Sequence, residues 1–457
     1  MKKLLSIALA LLMVCVMLPV VSMAALAEGE TCVAKIGNEE YGSLQAAINA
    51  GDGKVVELVA DRIESVTVNS GSVTLKLSAK LTNTDGQHTI TVSKDATLTI
   101  EGTGTVDNVS HGCGALFNNG TVIINGGTFD RSQEKGTNKD SAGNNSWYTI
   151  CNHGTMTVNN ATVTTASGNT ELGRYSSLFE NGYQNYKEYK EPINQEYPTL
   201  TINNGTFNGG LNTIKNDDNG IANIYGGKCT NFYQACVQNH HKITIYNGEF
   251  TTNVSDAWSV LNCGNCTSNV AGHDEHNLTI VNGTFTGAVG ITVGSAAING
   301  GTVNGKIVKG DTATISISGG TFSDKENAKK YIPEGKTINA NGTVVDKTIT
   351  IIVPGDTTFF RLQSTADAKL RAYVAEGEVL PVATRSFGAI GVFAIPEMGR
   401  FYRNVLIKKN YPHHGAVAFG HYGKAIFDTL KYLGVEDLEF NRPAGMLYDG
   451  ENPYAKY

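Results

Sequence analysis

A short phrase that recurs between residues 97 and 322 constrains the fold of this 457-residue chain more than any other feature. Each copy is an alternating strand of Thr, Ile and Val, followed by Asn or Gly, then Gly, Thr and a final aromatic residue or Val. The clearest copies are Val122–Phe129, Leu200–Phe207, Ile243–Phe250, Leu278–Phe285 and Ile315–Phe322, and weaker ones end at Val106, Val163, Cys229 and Val303. Successive copies end 18 to 44 residues apart, which predicts one solenoid coil per copy, with loops inserted in the long intervals.

The residue order within a copy predicts how one coil is built. Alternation with a period of two turns Ile and Val inward and Thr outward. Asn-Gly supplies the positive φ of a corner, and stacked asparagines can hydrogen-bond between coils. The final Phe is expected to stack on its counterparts in the neighbouring coils. The predicted fold class is therefore mainly β, a parallel β-helix; a propeller or sandwich is the alternative, although hairpin turns at more even spacing would be expected for either.

Composition excludes two classes of protein. The chain contains 52 Gly and only 17% charged residues, so it has too many turn residues and too few ion pairs for a helical bundle. Its formal charge of -6 leaves no basic stripe, so nucleic acid is not an expected partner.

The chain divides into three segments. Residues 1–27 carry Lys2, Lys3, an apolar run and a small-residue end, which predicts a signal peptide, with an uncleaved anchor as the alternative. We therefore expect a secreted, extracellular or cell-surface protein without a transmembrane segment after cleavage. The charge of -6 divides into +2 for this segment, -10 for residues 28–346 and +2 for the remainder. This shift predicts a β-helix domain over residues 28–346, with a capping helix at residues 43–50, and a different domain over residues 352–457.

The body, roughly residues 30–346, resembles the secreted right-handed parallel β-helix surface proteins of Firmicutes, which are loosely related to pectate-lyase-like folds. Lyases on this fold typically need acidic Ca²⁺ ligands and a basic residue, and glycosidases need paired carboxylates. The best pair is Asp217 and Asp218. Neighbouring side chains of a strand point to opposite faces, so we expect one turn residue and one solvated residue rather than an acid and a base. A polysaccharide lyase or hydrolase is therefore a third-ranked function.

Two groups of metal-ligating residue types occur in the body. Cys263 and Cys266, followed by His273 and His276, have a spacing that could hold Zn²⁺. A disulfide or buried thiols are favoured, because the His spacing matches no finger pattern. The pair His240–His241 is expected in a solvated turn. With no converging catalytic set, the anionic, Thr- and Asn-rich surface predicts adhesion, with a glycan or a cell-surface molecule as partner.

From Pro354 onward, short predicted strands and two predicted helices replace the repeat. Between those helices, His413–Gly423 places imidazoles at both ends of a short apolar strand, and structural turn histidines are the alternative interpretation. The tail resembles the C-terminal part of the L-fucose isomerase and L-arabinose isomerase superfamily, which implies a small α+β segment over residues 352–457. The segments that carry this resemblance are Phe359–Leu362, Ala372–Val379, Ala394–Gly399, His413–Gly423 and Glu451–Tyr454.

The resemblance implies an aldose to ketose isomerisation at a divalent metal, usually Mn²⁺, held by Glu, Asp and His. His414 matches the family's ligand His, and His413 and His421 would border the pocket. The family's acidic ligands and substrate domains lie upstream, where this chain has its repeats. The segment is therefore predicted to be inactive alone, and to need further chains or domains. An isomerase completed by a partner is the alternative function; Mn²⁺ is expected only in that case, and such homologues would be cytoplasmic.

Overall fold

A computed structural model describes residues 31–346, except 111, 134–147, 172, 174–175, 184–196, 253 and 264–275, and the backbone of two further strands at 349–352 and 359–362. The described residues are mainly β and fall into two compact units, Met1–Asn277 and Leu278–Tyr457. No helix among these residues is long and apolar enough to cross a membrane.

In the first unit, strands from β3 onward go in turn to three sheets, named here A, B and C. Sheet A contains β1 (Ala34–Ile36), β2 (Glu39–Tyr41), β3 (Lys54–Leu58), β6 (Gly71–Leu77), β9 (Ala96–Gly102), β12 (Thr121–Ile124), β15 (Thr155–Val158), β18 (Thr199–Ile202), β21 (Ile221–Ile224) and β24 (Lys242–Ile245). Sheet B contains β4 (Arg62–Ile63), β7 (Lys80–Asn83), β10 (Thr105–Asn108), β13 (Thr128–Asp130), β16 (Thr162–Thr164), β19 (Thr206–Asn208), β22 (Lys228–Asn231) and β25 (Glu249–Thr252). Sheet C contains β5 (Val66–Val68), β8 (Ile90–Val92), β11 (Leu116–Asn118), β14 (Ile150–Asn152), β17 (Phe179–Asn181), β20 (Asn212–Asn216), β23 (Ala235–Asn239) and β26 (Trp258–Asn262).

Three successive strands, one in each sheet, form what we call a coil. From β3 onward each strand pairs in parallel with the corresponding strands of the coils before and after it, whereas β1 is antiparallel to β2 and β3. Val122 lies between Leu98 and Met156, and all three are fully buried. The parallel sheets are compatible with the predicted parallel β-helix, and they contradict the propeller and sandwich alternatives, whose neighbouring strands would be antiparallel.

In the first unit the terminal residue of each copy is buried in sheet B, and at Phe207 it does not stack on a counterpart in the neighbouring coils. Phe207 lies in register between Val163 and Cys229, so a large side chain follows a small one along the sheet. Its ring instead meets Phe179 of sheet C edge-on, with centroids 5.2 Å apart. The predicted Phe stack is therefore not formed at Phe207, where large and small side chains alternate along the sheet and fill the interior evenly.

The corners depend on the glycine that precedes each Thr. Gly205 has φ +145°, and a Cβ there would lie 2.6 Å from the Phe207 ring and 2.7 Å from the Ala161 carbonyl oxygen. The prediction that Asn-Gly supplies positive φ is thus confirmed at the glycine. A side chain at Gly205 is therefore excluded for two independent reasons: other residues rarely adopt this φ, and the added Cβ would collide with the coil before it.

Asparagines form two ladders between coils. The predicted one joins Asn159 Nδ2 to Asn125 Oδ1 at 2.7 Å and Asn203 Nδ2 to Asn159 Oδ1 at 2.6 Å, and these side chains are exposed. A second ladder, which the sequence did not reveal, lies at the end of sheet C and is fully buried, with links of 2.6 or 2.7 Å. Its members are Asn118, Asn152, Asn181, Asn216, Asn239 and Asn262.

Two short helices occur among the described residues of the first unit. The helix α1 (Leu44–Ala50) buries Leu44, Ala47 and Ile48, and its N-cap is Ser43, whose hydroxyl accepts the Ala46 amide hydrogen. Glu64 accepts hydrogen bonds from the Ser43 hydroxyl at 2.7 Å and from two amides of the first turn at 3.0 Å. A 3-10 helix, η1, spans Ala166–Gly168.

The second unit continues the same pattern of short strands. Its elements are β27 (Asn277–Ile280, starting at the last residue of the first unit), β28 (Thr284–Thr286), β29 (Ala288–Ile291), β30 (Ser295–Ile298), β31 (Thr302–Asn304), β32 (Ile307–Lys309), β33 (Thr314–Ile317), β34 (Thr321–Phe322), α2 (Lys325–Lys329), β35 (Lys336–Ile338), β36 (Val344–Asp346), β37 (Ile349–Ile352) and β38 (Phe359–Leu362). Parallel pairs are β28 with β31, β29 with β32, β30 with β33 and β31 with β34, and antiparallel pairs are β35 with β36 and β37 with β38. The strand predicted over residues 357–362 is found as β38, Phe359–Leu362; the other predicted elements of the tail lie outside the described residues.

Candidate functional site

The outer side of sheet A carries a regular array of polar side chains. Because alternate residues of a strand share a face, each strand from β9 to β24 contributes outward residues to columns that run across the sheet. Thr97, Thr121, Thr155 and Thr199 form one column in register, and Thr157 and Thr201 belong to the next. Strands are roughly 4.8 Å apart and alternate residues roughly 6.7 Å apart, so the hydroxyls form a flat grid.

A third column is formed by the residues that directly follow β12, β15, β18, β21 and β24. The first three are Asn125, Asn159 and Asn203 of the exposed ladder, and the next two are tyrosines. The Tyr225 and Tyr246 rings are stacked, with centroids 4.4 Å apart and planes 3° apart. They are 47% and 37% exposed, so one broad aromatic surface faces solvent. We call the outward residues of β9, β12, β15, β18, β21 and β24, with this third column, the A face.

The A face is suited to binding rather than to catalysis. Hydroxyl and amide groups both donate and accept hydrogen bonds, and tyrosine adds an apolar ring face with a polar rim. Its charged groups are Glu101 and Lys242, so the array is close to neutral. Sequence reasoning expected a Thr- and Asn-rich surface but missed the tyrosine pair. The signal was present, because Tyr225 and Tyr246 stand where earlier copies have Asn.

A second group of polar residues, beside sheet C, is buried. Asp217 and Asp218 follow β20, and His240 follows β23 of the next coil. His240 Nδ1 lies 3.6 Å from Asp217 Oδ1 and 3.9 Å from Asp218 Oδ1. The Lys215 ammonium lies 2.6 Å from the other oxygen of Asp217, Oδ2. We call Asp217, Asp218 and His240 the acidic-His cluster; their possible ligand atoms all lie within 4.8 Å of one another.

This arrangement corrects two predictions. Asp217 and Asp218 are 2% and 3% exposed, so neither is the solvated residue that was expected. They follow the strand in a turn, where the alternation of strand side chains no longer holds, and both approach one imidazole. The pair His240–His241 is likewise buried, at 5% and 1% exposure, rather than solvated.

The charge states of Asp217, Lys215 and His240 do not provide an acid and a base near neutral pH. Burial opposes ionisation of Asp217, but the attraction of Lys215 and His240 outweighs it and lowers the pKa of that carboxyl. Burial would lower the pKa of Lys215, but Asp217, with Tyr148 and Glu180, raises it above its usual range. Burial lowers the pKa of His240 to about 4, although Asp217 opposes the shift. At pH 7 the ion pair is charged and the imidazole neutral, so none of these three groups is poised for proton transfer.

The other predicted site residues are only partly described. Cys263 is buried, and its sulfur accepts a hydrogen bond from Gln238 Nε2 at 3.5 Å. His276 is buried and donates from Nδ1 to the His240 carbonyl oxygen. Cys266 and His273, the remaining members of the predicted Zn²⁺ set, lie outside the described residues, so that prediction stays untested.

The metal implied by the isomerase resemblance has its predicted ligand in the tail. His414 and its neighbours His413 and His421 lie outside the described residues, so the fit of Mn²⁺ there remains a prediction. Among described residues, the acidic-His cluster combines the carboxylate and imidazole donors that divalent metals use, but it lies in the first unit, upstream of the resemblance.

Comparison with known proteins identifies one family. The model of the L-fucose isomerase C-terminal domain matches residues 260–439, which is less than half of the chain. The match includes the three tail histidines, and it begins upstream of the predicted boundary at residue 352. No curated protein and no solved structure matches the chain. The C-terminal part is therefore similar to an L-fucose isomerase C-terminal domain, and the A face stands outside that similarity.

Proposed function

We propose that this chain is a secreted, right-handed parallel β-helix protein that binds a glycan through the A face and carries an isomerase-like C-terminal segment that is inactive alone. The observation that carries the proposal is the exposed, parallel pair Tyr225 and Tyr246, which continues the ladder of Asn125, Asn159 and Asn203. Sugar rings present C–H faces that pack on aromatic rings and rim hydroxyls that bond to amides and hydroxyls. The A face offers both kinds of group in register.

Electrostatics favour an uncharged glycan. Residues 28–346 carry a formal charge of -10, which repels a polyuronate such as pectin. The A face itself is nearly neutral, because its outward groups are mainly hydroxyls, amides and tyrosines, with Ile123, Ile221 and one charged residue of each sign. A neutral polysaccharide therefore fits this surface better than the acidic substrate of a pectate lyase. The partner class is thus an uncharged, extended glycan at the cell surface or in the extracellular medium.

Affinity electrophoresis of the full chain in gels that contain soluble cellulose, chitin, starch or pectin derivatives tests the proposal. Binding to at least one neutral polysaccharide is expected. The double variant Tyr225→Ala/Tyr246→Ala is expected to bind at least tenfold more weakly, which corresponds to about 1.4 kcal/mol. The matched control is Tyr233→Ala, which removes an exposed tyrosine (40% exposed) outside the A face. Failure to bind any neutral glycan, or equal binding by the double variant and the control, would refute the proposal.

A second function is supported by the family match alone. If a partner completes an isomerase site, the full chain mixed with that partner and Mn²⁺ should interconvert an aldose and a ketose, and His414→Ala should abolish the conversion. Activity of the isolated chain would contradict the inactivity proposed above. Release of unsaturated sugars from pectin, by contrast, would favour the lyase alternative.

A further inference from the structure

The acidic-His cluster joins two consecutive coils. Asp217 and Asp218 belong to the turn between β20 and β21, and His240 belongs to the equivalent turn one coil later. Their side chains are 3%, 4% and 7% exposed. Two carboxylates and an imidazole therefore converge in a place that bulk water hardly reaches. These three residues belong neither to the A face nor to the residues of the predicted tail site.

The separations suit a single bound cation. Zinc bonds to imidazole nitrogen and carboxylate oxygen at about 2.0 to 2.2 Å, so two ligands of one ion can be up to about 4.2 Å apart and are about 3.4 Å apart in a tetrahedron. The distances from His240 Nδ1 to Asp217 Oδ1 and Asp218 Oδ1 are 3.6 and 3.9 Å. Both values lie between these limits, and the possible ligand atoms of all three residues lie within 4.8 Å of one another, so side-chain rotations could bring them around one ion.

The backbone of each ligand residue is held in place. The Asp217 amide donates to the Asn181 carbonyl oxygen at 2.7 Å, and the Asp218 carbonyl oxygen accepts the Tyr183 amide hydrogen at 2.9 Å. The His240 amide donates to the Asn216 carbonyl oxygen at 2.7 Å. These bonds fix the turns relative to one another, so the ligands are arranged before an ion arrives, which lowers the ordering cost of binding.

Lys215 orients the cluster without filling it. Its ammonium lies 2.6 Å from Asp217 Oδ2, whereas Oδ1 of the same carboxylate faces His240. The two oxygens of Asp217 thus have different tasks. Oδ2 is held by the lysine, and Oδ1, which also accepts the Asp218 amide hydrogen at 3.2 Å, faces the remaining ligands.

We propose that Asp217, Asp218 and His240 form a site for a divalent first-row transition-metal ion, with three protein ligands and further positions for water. An imidazole among the ligands favours Zn²⁺ or Co²⁺ over Ca²⁺ and Mg²⁺, which prefer oxygen donors. The ion would link two coils at their turns and stabilise the folded chain, because the ligands are together only when both coils are formed.

Titration of the metal-free full chain with Zn²⁺ by calorimetry, and with Co²⁺ by visible absorption, tests the site. We expect saturable binding at this site, a rise in the melting temperature on loading, and Co²⁺ bands. His240→Ala and the nearly isosteric Asp217→Asn should each weaken binding at least tenfold. The matched control His241→Ala removes a neighbouring buried imidazole outside the cluster and should keep the affinity of the parent.

Cysteine thiols are a competing site for Zn²⁺, and a further variant distinguishes that site from the acidic-His cluster. Cys263→Ala should bind Zn²⁺ as the parent does; if its binding is lost while His240→Ala retains it, the ion belongs to the cysteines and the proposal fails. It fails equally if no saturable binding is seen, or if the folded Asp217→Asn variant binds as tightly as the parent. Circular dichroism of each variant before titration identifies any that do not fold. None of these outcomes depends on glycan binding.

Discussion

Removal of Asn216 from the buried asparagine ladder should destabilise the protein strongly. The Asn216 side chain makes four hydrogen bonds. Its Nδ2 donates to Asn239 Oδ1 at 2.7 Å and to the carbonyl oxygens of Gly220 and Lys242 at 2.8 and 3.0 Å. Its Oδ1 accepts from Asn181 Nδ2 at 2.7 Å. Asn216→Ala deletes all four and leaves their partners in a place that water does not reach.

The magnitude follows from burial. A hydrogen bond contributes a net 0.5 to 1.5 kcal/mol, so four independent bonds would be worth about 2 to 6 kcal/mol. Asn181 and Asn239 keep other bonds: Asn181 Nδ2 still reaches the Ile221 carbonyl oxygen at 3.1 Å, and Asn239 Oδ1 still accepts from the His241 amide at 3.3 Å. We therefore expect the free energy of unfolding to fall by about 3 to 4 kcal/mol.

The exposed ladder provides the control. Asn159→Ala deletes two side-chain hydrogen bonds of the same kind, but water replaces them, so the loss should be below about 1 kcal/mol. Urea unfolding of both variants, monitored by far-ultraviolet circular dichroism, measures the difference in the free energy of unfolding, provided that the m value is unchanged. Equal destabilisation of the two variants, or a loss below about 1 kcal/mol for Asn216→Ala, would refute the argument that burial gives the ladder its strength.

Three further predictions concern other parts of the first unit. Gly205→Ala should cost about 1 to 3 kcal/mol more than Gly53→Ala in urea unfolding, because both positions have positive φ but an added Cβ at Gly53 meets no atom within 4 Å; equal costs would contradict this. Burial raises the pKa of Glu64, yet hydrogen bonds from α1 and its cap outweigh burial and lower the pKa below 4.5. The stability that this group contributes is therefore present above pH 4.5 and lost as the pH falls through the lowered pKa. In Glu64→Gln, the free energy of unfolding should depend less on pH in that acid range. Burial raises the pKa of the Cys236 thiol to about 12, so iodoacetamide should label half-buried Cys113 before Cys236, as mass spectrometry of digests would show; simultaneous labelling in the folded protein would be inconsistent with this burial.

Local sequence patterns were sufficient to predict most of the fold of the body. Period-two alternation located the strands of sheet A, and Asn-Gly located the corners, because both depend on backbone geometry within a few residues. The predicted Phe stack is not formed at Phe207, because coil register sets the neighbours of this residue and places Cys229 and Val163 beside it. The tail predictions beyond β38 stay predictions.

The candidate sites divide in the same way. The Thr and Asn columns of the A face follow from the repeat, since identical positions of successive copies must align once the strands pair in parallel. The acidic-His cluster does not, because Asp217 and His240 are separated along the chain and their approach depends on two turns in adjacent coils.

The repeat is sufficient to predict a series of β-strands with outward Thr, inward Ile and Val, and glycine corners, since these are properties of each copy alone. Which side chains meet between copies follows from coil packing: the buried ladder through Asn216, the stacked pair Tyr225 and Tyr246, and the burial of Asp217 and His240. Each of these depends on register and on exclusion of water, and both arise only when coils lie against one another.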